Sequence, residues 1–291
     1  MTRLSSRLVA VAAFAALALG LGACSSLAGG TASPSATAPT ASTPTDVKQL
    51  TVTPGKLTIA TGKPAYSPWV ENDKPESGKG LEAAVAYAVA EKLGFAKADV
   101  VWKRSTFDEA IAPGAKQWDF NLQQFSITDE RKKAVDFSTP YYTTTQAVLT
   151  YRGSKAAGAT TIAALKEALI GVAIGTTSQQ LASSLIAPTT QPKVFNSNED
   201  AVQALKAKQI DALVVDLPTA LYLSAAVIDN GTIIGQLADS TGGEQFGLVL
   251  QKGSKLTAPV SAAMDELREA GRLAALSKTW LSESIDVPVL Q

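Results

Sequence analysis

Ile170-Gly-Val-Ala-Ile-Gly-Thr-Thr-Ser178 sets an apolar run of strand length against a glycine and three hydroxyl residues that suit a helix start. Downstream, Ser197 is placed to cap a helix over 199–208, Ala212-Leu-Val-Val-Asp216 reads as a buried strand, and Pro218 opens the next helix at an early-turn position. The same alternation runs upstream. Residues 56–61, 99–103 and 119–123 read as strands, 81–93 as a helix stopped by Gly94, and Ser105-Thr-Phe-Asp108 as a capping box opening a short helix. Thr161 is expected to cap a helix through Leu169. Beyond these, 246–251 reads as a strand, and 258–270 and 273–281 as helices. Strand–helix alternation of this kind predicts an α/β fold with mostly parallel sheets. There is no internal repeat.

The chain has 291 residues, 46% hydrophobic and 18% charged, which excludes a disordered protein and suggests about two domains. Basic and acidic residues balance at 26 each, so no general field attracts nucleic acid. No histidine occurs, which removes Ser-His-Asp and Cys-His catalysis and the commonest metal ligand. The single cysteine, Cys24, permits no internal disulfide and no cysteine-based zinc cage. No metal or cofactor is expected.

Arg3 and Arg7 are the only charges in the first 45 residues, and an unbroken apolar run covers Leu8 to Leu21. At 14 residues the run is shorter than the about 20 that span a bilayer, and it suits the core of a secretory signal. Leu21-Gly-Ala-Cys24 resembles the bacterial lipobox, which implies diacylglyceryl attachment to Cys24, cleavage before it, and a signal peptide over 1–23. Residues 24–54, rich in Ser, Thr, Ala and Pro, then read as a flexible tether holding the body at the outer face of the cell membrane.

Five segments occur together: Ala65-Tyr-Ser-Pro-Trp69, Gly80-Leu-Glu82, Ser126-Ile-Thr-Asp-Glu-Arg-Lys132 with Val135-Asp-Phe-Ser-Thr-Pro-Tyr-Tyr142, Gly175-Thr-Thr-Ser178, and Asp211-Ala-Leu-Val-Val-Asp216. In order and spacing the set resembles the extracytoplasmic solute-binding proteins of ABC transporters, in particular the polar amino-acid family (family 3). The resemblance covers about 56–285, and its longest match is 126–142. It implies a two-lobed, type II periplasmic-binding-protein-like fold. Lobe one would be 55–142 plus 246–291 and lobe two 147–240, with hinge crossovers near 143–146 and 241–245.

The chemistry of an amino acid fits the residues that the resemblance picks out. A dry cleft has to pair both a carboxylate and an ammonium, since an unpaired buried charge is costly. Arg131 matches the family's carboxylate clamp, and its planar fork suits a carboxylate. On its own it could equally be a surface residue among Asp129, Glu130, Lys132 and Lys133. Thr176 and Thr177 lie at a strand-to-helix turn, where free N–H groups favour anions, and Thr177 matches the position that donates to the ligand carboxylate. Ordinary capping is the alternative there. Asp216 is expected to accept from the ammonium, with an N-cap as the alternative. Ser126 matches a hydroxyl that touches the ligand. Gln124 replaces a usual glycine and should offer its carbonyl. Tyr66 and Phe107 match aromatic positions that sandwich the ligand side chain, or they pack in the rim; Trp69 is expected to pack within the lobe.

With no evident acid in the mapped cleft besides Asp216, the ligand side chain is expected to be acidic or an amide rather than cationic, although Glu71 or Glu82 could overturn that. The resulting expectation is a monomeric, lipid-anchored receptor that is not an enzyme. It would pass a free amino acid to an ABC permease and its ATPase. A ligand sensor for a signalling partner is one alternative. The other is a cyclohexadienyl dehydratase-like enzyme on the same scaffold, with Glu82 as its candidate acid or base.

Overall fold

A computed structural model of the chain describes residues 46–237, 243–281 and 287–291. The expected signal peptide, Cys24 and most of the tether lie outside the described residues.

Strands β1 (Leu57–Thr61), β2 (Val100–Arg104) and β3 (Phe120–Leu122) alternate with helices α1 (Leu81–Lys92) and α2 (Phe107–Ile111). Next come α3 (Asp129–Ala134), β4 (Val135–Phe137), β5 (Tyr142–Thr144) and β6 (Gln146–Tyr151). A second alternating run follows: β7 (Ile170–Ala173), α4 (Thr177–Leu181), β8 (Lys193–Phe195), α5 (Asn198–Lys206), β9 (Ala212–Asp216), α6 (Leu217–Ala226) and β10 (Gly231–Leu237). The chain ends with β11 (Glu244–Phe246), β12 (Val249–Gln251), α7 (Thr257–Glu269), α8 (Arg272–Trp280) and β13 (Val289–Leu290).

The strands form a five-stranded sheet, β2-β1-β3-β12-β4, and a six-stranded sheet, β13-β10-β6-β9-β7-β8. Each is the centre of one lobe. The sheets are mixed. Strands joined by helical crossovers pair in parallel, as β1 does with β2 and β3, and β7 with β8 and β9. Two strands that directly follow a crossing of the ribbon run the other way: β6 against β9 and β10, and β12 against β3 and β4. A helix returns the chain to the starting edge and so enforces parallel pairing, whereas a direct crossing does not. The two crossings pair with each other as an antiparallel ribbon, β5 with β11.

In the first lobe, α1, α7 and α8 close one face of the sheet over Leu57, Ile59, Phe120 and Leu250. A smaller cluster of Ala60, Trp118, Phe125 and Val249 closes the other. Two apolar clusters do the same for the second sheet. Layering on both faces explains why β7 and β9 are apolar with little alternation, and why β1 is buried along its whole length although it carries Thr58 and Thr61.

Several local expectations are corrected. The capping box is shifted by one residue: Thr106 Oγ1 accepts from Glu109 N–H while Glu109 accepts from Thr106 N–H. Ser105 instead donates to a carbonyl. Thr161 Oγ1 does accept from Ala164 N–H, but the helix it starts is a single turn, Ala163–Leu165. The expected strand over 246–251 is broken at Gly247, because Phe246 pairs with Tyr142 in the ribbon while Val249 pairs with Asn121 and Phe137. Residues 46–54 are packed rather than tether-like, since Thr51 is buried, Val52 N–H donates to Asp119, and Val47 and Leu50 lie on the core. Finally, the tail from Val287 leaves lobe one: β13 pairs in parallel with β10, and Leu290 fills the second lobe's core. Gly235 permits this seat, since a Cβ there would come within 2.6 Å of Leu290.

Candidate functional site

A cavity of about 100 Å³ lies between the lobes, beyond the C-terminal ends of β1, β3, β7 and β9. Open α/β sheets place ligands at these strand ends. All eight residues singled out from the sequence line it: Tyr66, Phe107, Gln124, Ser126, Arg131, Thr176, Thr177 and Asp216.

Arg131 begins inside an acidic and basic run, yet its side chain turns inward. Thr128 caps α3 through Arg131 N–H, and the neighbouring charges pair among themselves, Lys132 with Asp129 and Lys133 with Glu130. Arg131 is 9% exposed, and its guanidinium donates to Ser126 C=O at 2.7 Å and to Gly175 C=O at 3.0 Å, the latter across the cleft. It also lies 5.2 Å over the Phe107 ring. None of the ion pairs among the described residues includes it. Burial lowers its pKa, and the charges of Glu244 and Asp216 partly restore it.

Asp216, 8% exposed, sits at the N-cap position of α6 but caps nothing; its carboxylate accepts from the Gln146 amide at 2.7 Å. Gln146 is itself held by the Ser178 hydroxyl at 2.6 Å. Burial raises the Asp216 pKa well above the usual carboxylate range, and the Glu244 charge adds to this. The site thus holds a buried cation on the first lobe and a buried acid on the second, each bonded to neutral groups.

Thr176, not Thr177, caps α4, with its hydroxyl accepting from Gln179 N–H at 3.1 Å. The Thr177 hydroxyl donates to the Glu244 carboxylate at 2.7 Å, which leaves its backbone N–H at the start of α4 as the group suited to an anion. The Ser126 hydroxyl donates to the same Glu244 oxygen.

Gln124 adopts φ +51, the left-handed backbone for which a glycine is usual, and its side chain bridges the cavity wall. Its amide donates to Glu82 at 2.6 Å and accepts from the Tyr66 hydroxyl at 3.0 Å. Glu82 also accepts from Gln124 N–H and the Tyr141 hydroxyl. Burial pushes its pKa up to about 7, with these hydrogen bonds opposing. With three donors on it, Glu82 serves as the anchor of Gln124. Tyr66 accepts from Asn198 Nδ2 at 2.9 Å, a second bond across the cleft. Phe107 stacks on Phe125 at 4.8 Å and carries the Arg131 guanidinium, so its ring is committed to that cation as well as to the wall. Trp69 packs in the first lobe as expected, but its indole N–H also reaches Thr219 of the second.

The sequence reading missed Gln146, Ser178, Asn198 and Glu244. Gln146 carries a faint signal as the one polar residue opening the apolar run of β6, and Ser178 ends the Gly175-Thr-Thr-Ser178 segment without being assigned to the site; Asn198 and Glu244 give no signal beyond their polarity. Asn198 Oδ1 is buried with no hydrogen-bond partner among the described residues.

Comparison with known proteins gives a consistent picture. Residues 57–283 match the family model described as bacterial extracellular solute-binding proteins, family 3. The L-cystine-binding protein TcyJ of Escherichia coli (strain K12) is 28% identical over 71% of this chain and 75% of its own length. An ancestral arginine-binding protein bound to glutamine superposes with a TM-score of 0.67 at 31% identity, covering 79% of this chain and 99% of that one. An ancestral amino-acid-binding protein, described as a precursor of cyclohexadienyl dehydratase, gives a TM-score of 0.64 at 27% identity, covering 78% of this chain and 96% of that one.

Proposed function

The chain belongs to the bacterial extracellular solute-binding proteins, family 3, and on that premise we propose that it captures a free α-amino acid between its lobes and hands it to an ABC permease driven by its ATPase. The observation that carries this reading is the pair Arg131 and Asp216. A buried guanidinium and a buried carboxylate face one small cavity from opposite lobes, each held by neutral partners. A zwitterion supplies the missing counter-charges: its carboxylate to Arg131 and the Thr177 N–H, its ammonium to Asp216. Bridging both lobes, such a ligand favours the closed arrangement, which a permease could read.

On the side chain, the amide half of the expectation is better supported than the acidic half. The unpartnered Asn198 oxygen needs an N–H donor, and Glu82 and Asp216 make the wall unfavourable to a further carboxylate. Anchoring through an acylated Cys24 at the outer face of the membrane, and action as a monomer, complete the proposal. No helix among the described residues is long and apolar enough to cross a membrane.

The test is thermal unfolding of the purified protein against the twenty amino acids and close analogues. A ligand at about 100 times its Kd adds roughly 2.7 kcal/mol of stability. A shift with one or a few amino acids supports the receptor. No shift with any of them refutes it and moves the enzyme and sensor readings forward.

A further inference from the structure

Glu244 lies behind the cavity rather than in it. It does not line the ligand space, but it does line the groove on the far side of Ser126 and Thr177 together with Thr128, Thr143 and Gln180. From there one carboxylate oxygen accepts from both hydroxyls, which stand 3.4 Å apart. Its backbone lies in the crossover ribbon, paired with Thr144, and the residues just after it are tied to the first lobe: Ile127 N–H donates to Gln245 C=O, Gly247 N–H donates to Phe125 C=O, and Phe246 bridges to Ser126. Ser126 is thus held near Glu244 through the first lobe, whereas Thr177, at the first turn of α4, is carried by the second.

We infer that Glu244 is a positioning residue that clasps the two lobes and sets the polarity of the two hydroxyls facing the ligand. A carboxylate only accepts, so both hydroxyl protons point away from the cavity and only lone pairs remain to face it. Ser126 and Thr177 then act toward the ligand as acceptors, suited to the ammonium rather than the carboxylate. Because its Thr177 bond exists only in the closed arrangement, Glu244 favours closure before any ligand arrives. The clasp half of this inference stands apart from the amino-acid reading; the acceptor half rests on it.

The experiment measures closure without ligand. Nitroxides are placed on the exposed positions Glu91→Cys of α1 and Lys206→Cys of α5, in the full chain carrying Cys24→Ser, and the inter-lobe distance distribution is recorded. Glu244→Ala and Thr177→Val are each expected to shift it to longer distances, and the double variant to shift it no further. Glu244→Gln, whose amide oxygen still accepts, is expected to restore the short distance. Unfolding midpoints recorded alongside separate a loss of clasp from a loss of fold. An unmoved distribution in Glu244→Ala, additive shifts in the double variant, or failure of Glu244→Gln to rescue would each overturn the inference. Affinity for L-glutamine and L-arginine is read in parallel and should fall about tenfold in Glu244→Ala. If neither probe binds the native protein, the amino-acid reading suffers while the distance measurement still decides the clasp.

Discussion

The indole Nε1–H of Trp69 donates to the Thr219 hydroxyl at 2.9 Å, tying the core of one lobe to the first turn of α6 in the other. Both residues are 1% exposed, and the Trp69 ring also packs edge-on against Tyr142 and Phe246 of the crossover ribbon. Thr219→Val keeps the shape but leaves a buried donor without an acceptor, which costs about 1–3 kcal/mol. Urea unfolding should show the loss as a lower midpoint with an unchanged slope. An unaltered midpoint would mean that water or another group takes the indole proton.

Arg131 holds two carbonyls, and in the proposed function it takes the ligand carboxylate. Arg131→Ala should abolish the ligand-induced rise in unfolding temperature. Arg131→Lys should recover little of it, because an ammonium lacks the planar fork. Full recovery with lysine would show that charge alone suffices at this position.

Ligand binding should release a proton from Asp216. Burial holds its carboxyl well above the ordinary range, and an ammonium beside it favours the ionised form. Affinity should therefore rise with pH through the titration of Asp216. Calorimetry in buffers of different ionisation heat reads the proton directly, and proton uptake would contradict the assignment of Asp216 to the ammonium.

Glu82 makes the opposite kind of demand on stability. Its folded pKa of about 7 stands above the unfolded value near 4.5, so the native state binds the extra proton between those limits. Stability from this group is full below about pH 4.5 and is lost as pH rises through about 7, a total of about 3 kcal/mol. Glu82→Gln should flatten the pH dependence of the unfolding free energy over that window. A variant with the same slope as the native chain would acquit Glu82 as its cause.

Much of this architecture can be read from the sequence because its signals are local. The strands β1, β7 and β9 and the Ser197 cap each carry their structure within a few residues, whereas the long segment from Ser126 to Tyr142 is legible through its resemblance to a family. The eight candidate residues that line the cavity are likewise legible, through the resemblance of the motifs that hold them. What escaped depends on contacts between distant parts of the chain. Glu244 sits in a Gly-Gly-Glu-Gln stretch that reads as a plain polar loop, and its meaning comes only from two hydroxyls 118 and 67 residues away. The box formed by Thr106 and Glu109 was misplaced by one residue because Ser105 and Asp108 satisfy nearly the same pattern. The break at Gly247 has only the glycine itself as a local sign, and its cause is that each half of the strand answers to a different partner.

The seat of Leu290 beneath β10 makes the second lobe a composite of two separated stretches. Gln236 N–H donates to Pro288 C=O, its side-chain amide donates to Val287 C=O, and Ile162 N–H donates to Gln291 C=O. The terminal pentapeptide Val287-Pro-Val-Leu-Gln291 thus behaves as a guest of a lobe to which its preceding helix does not belong. A chain truncated after Leu281 would keep both sheets but carry an empty berth beside Gly235. A synthetic peptide of those five residues, added from solution, should dock there and restore the missing edge.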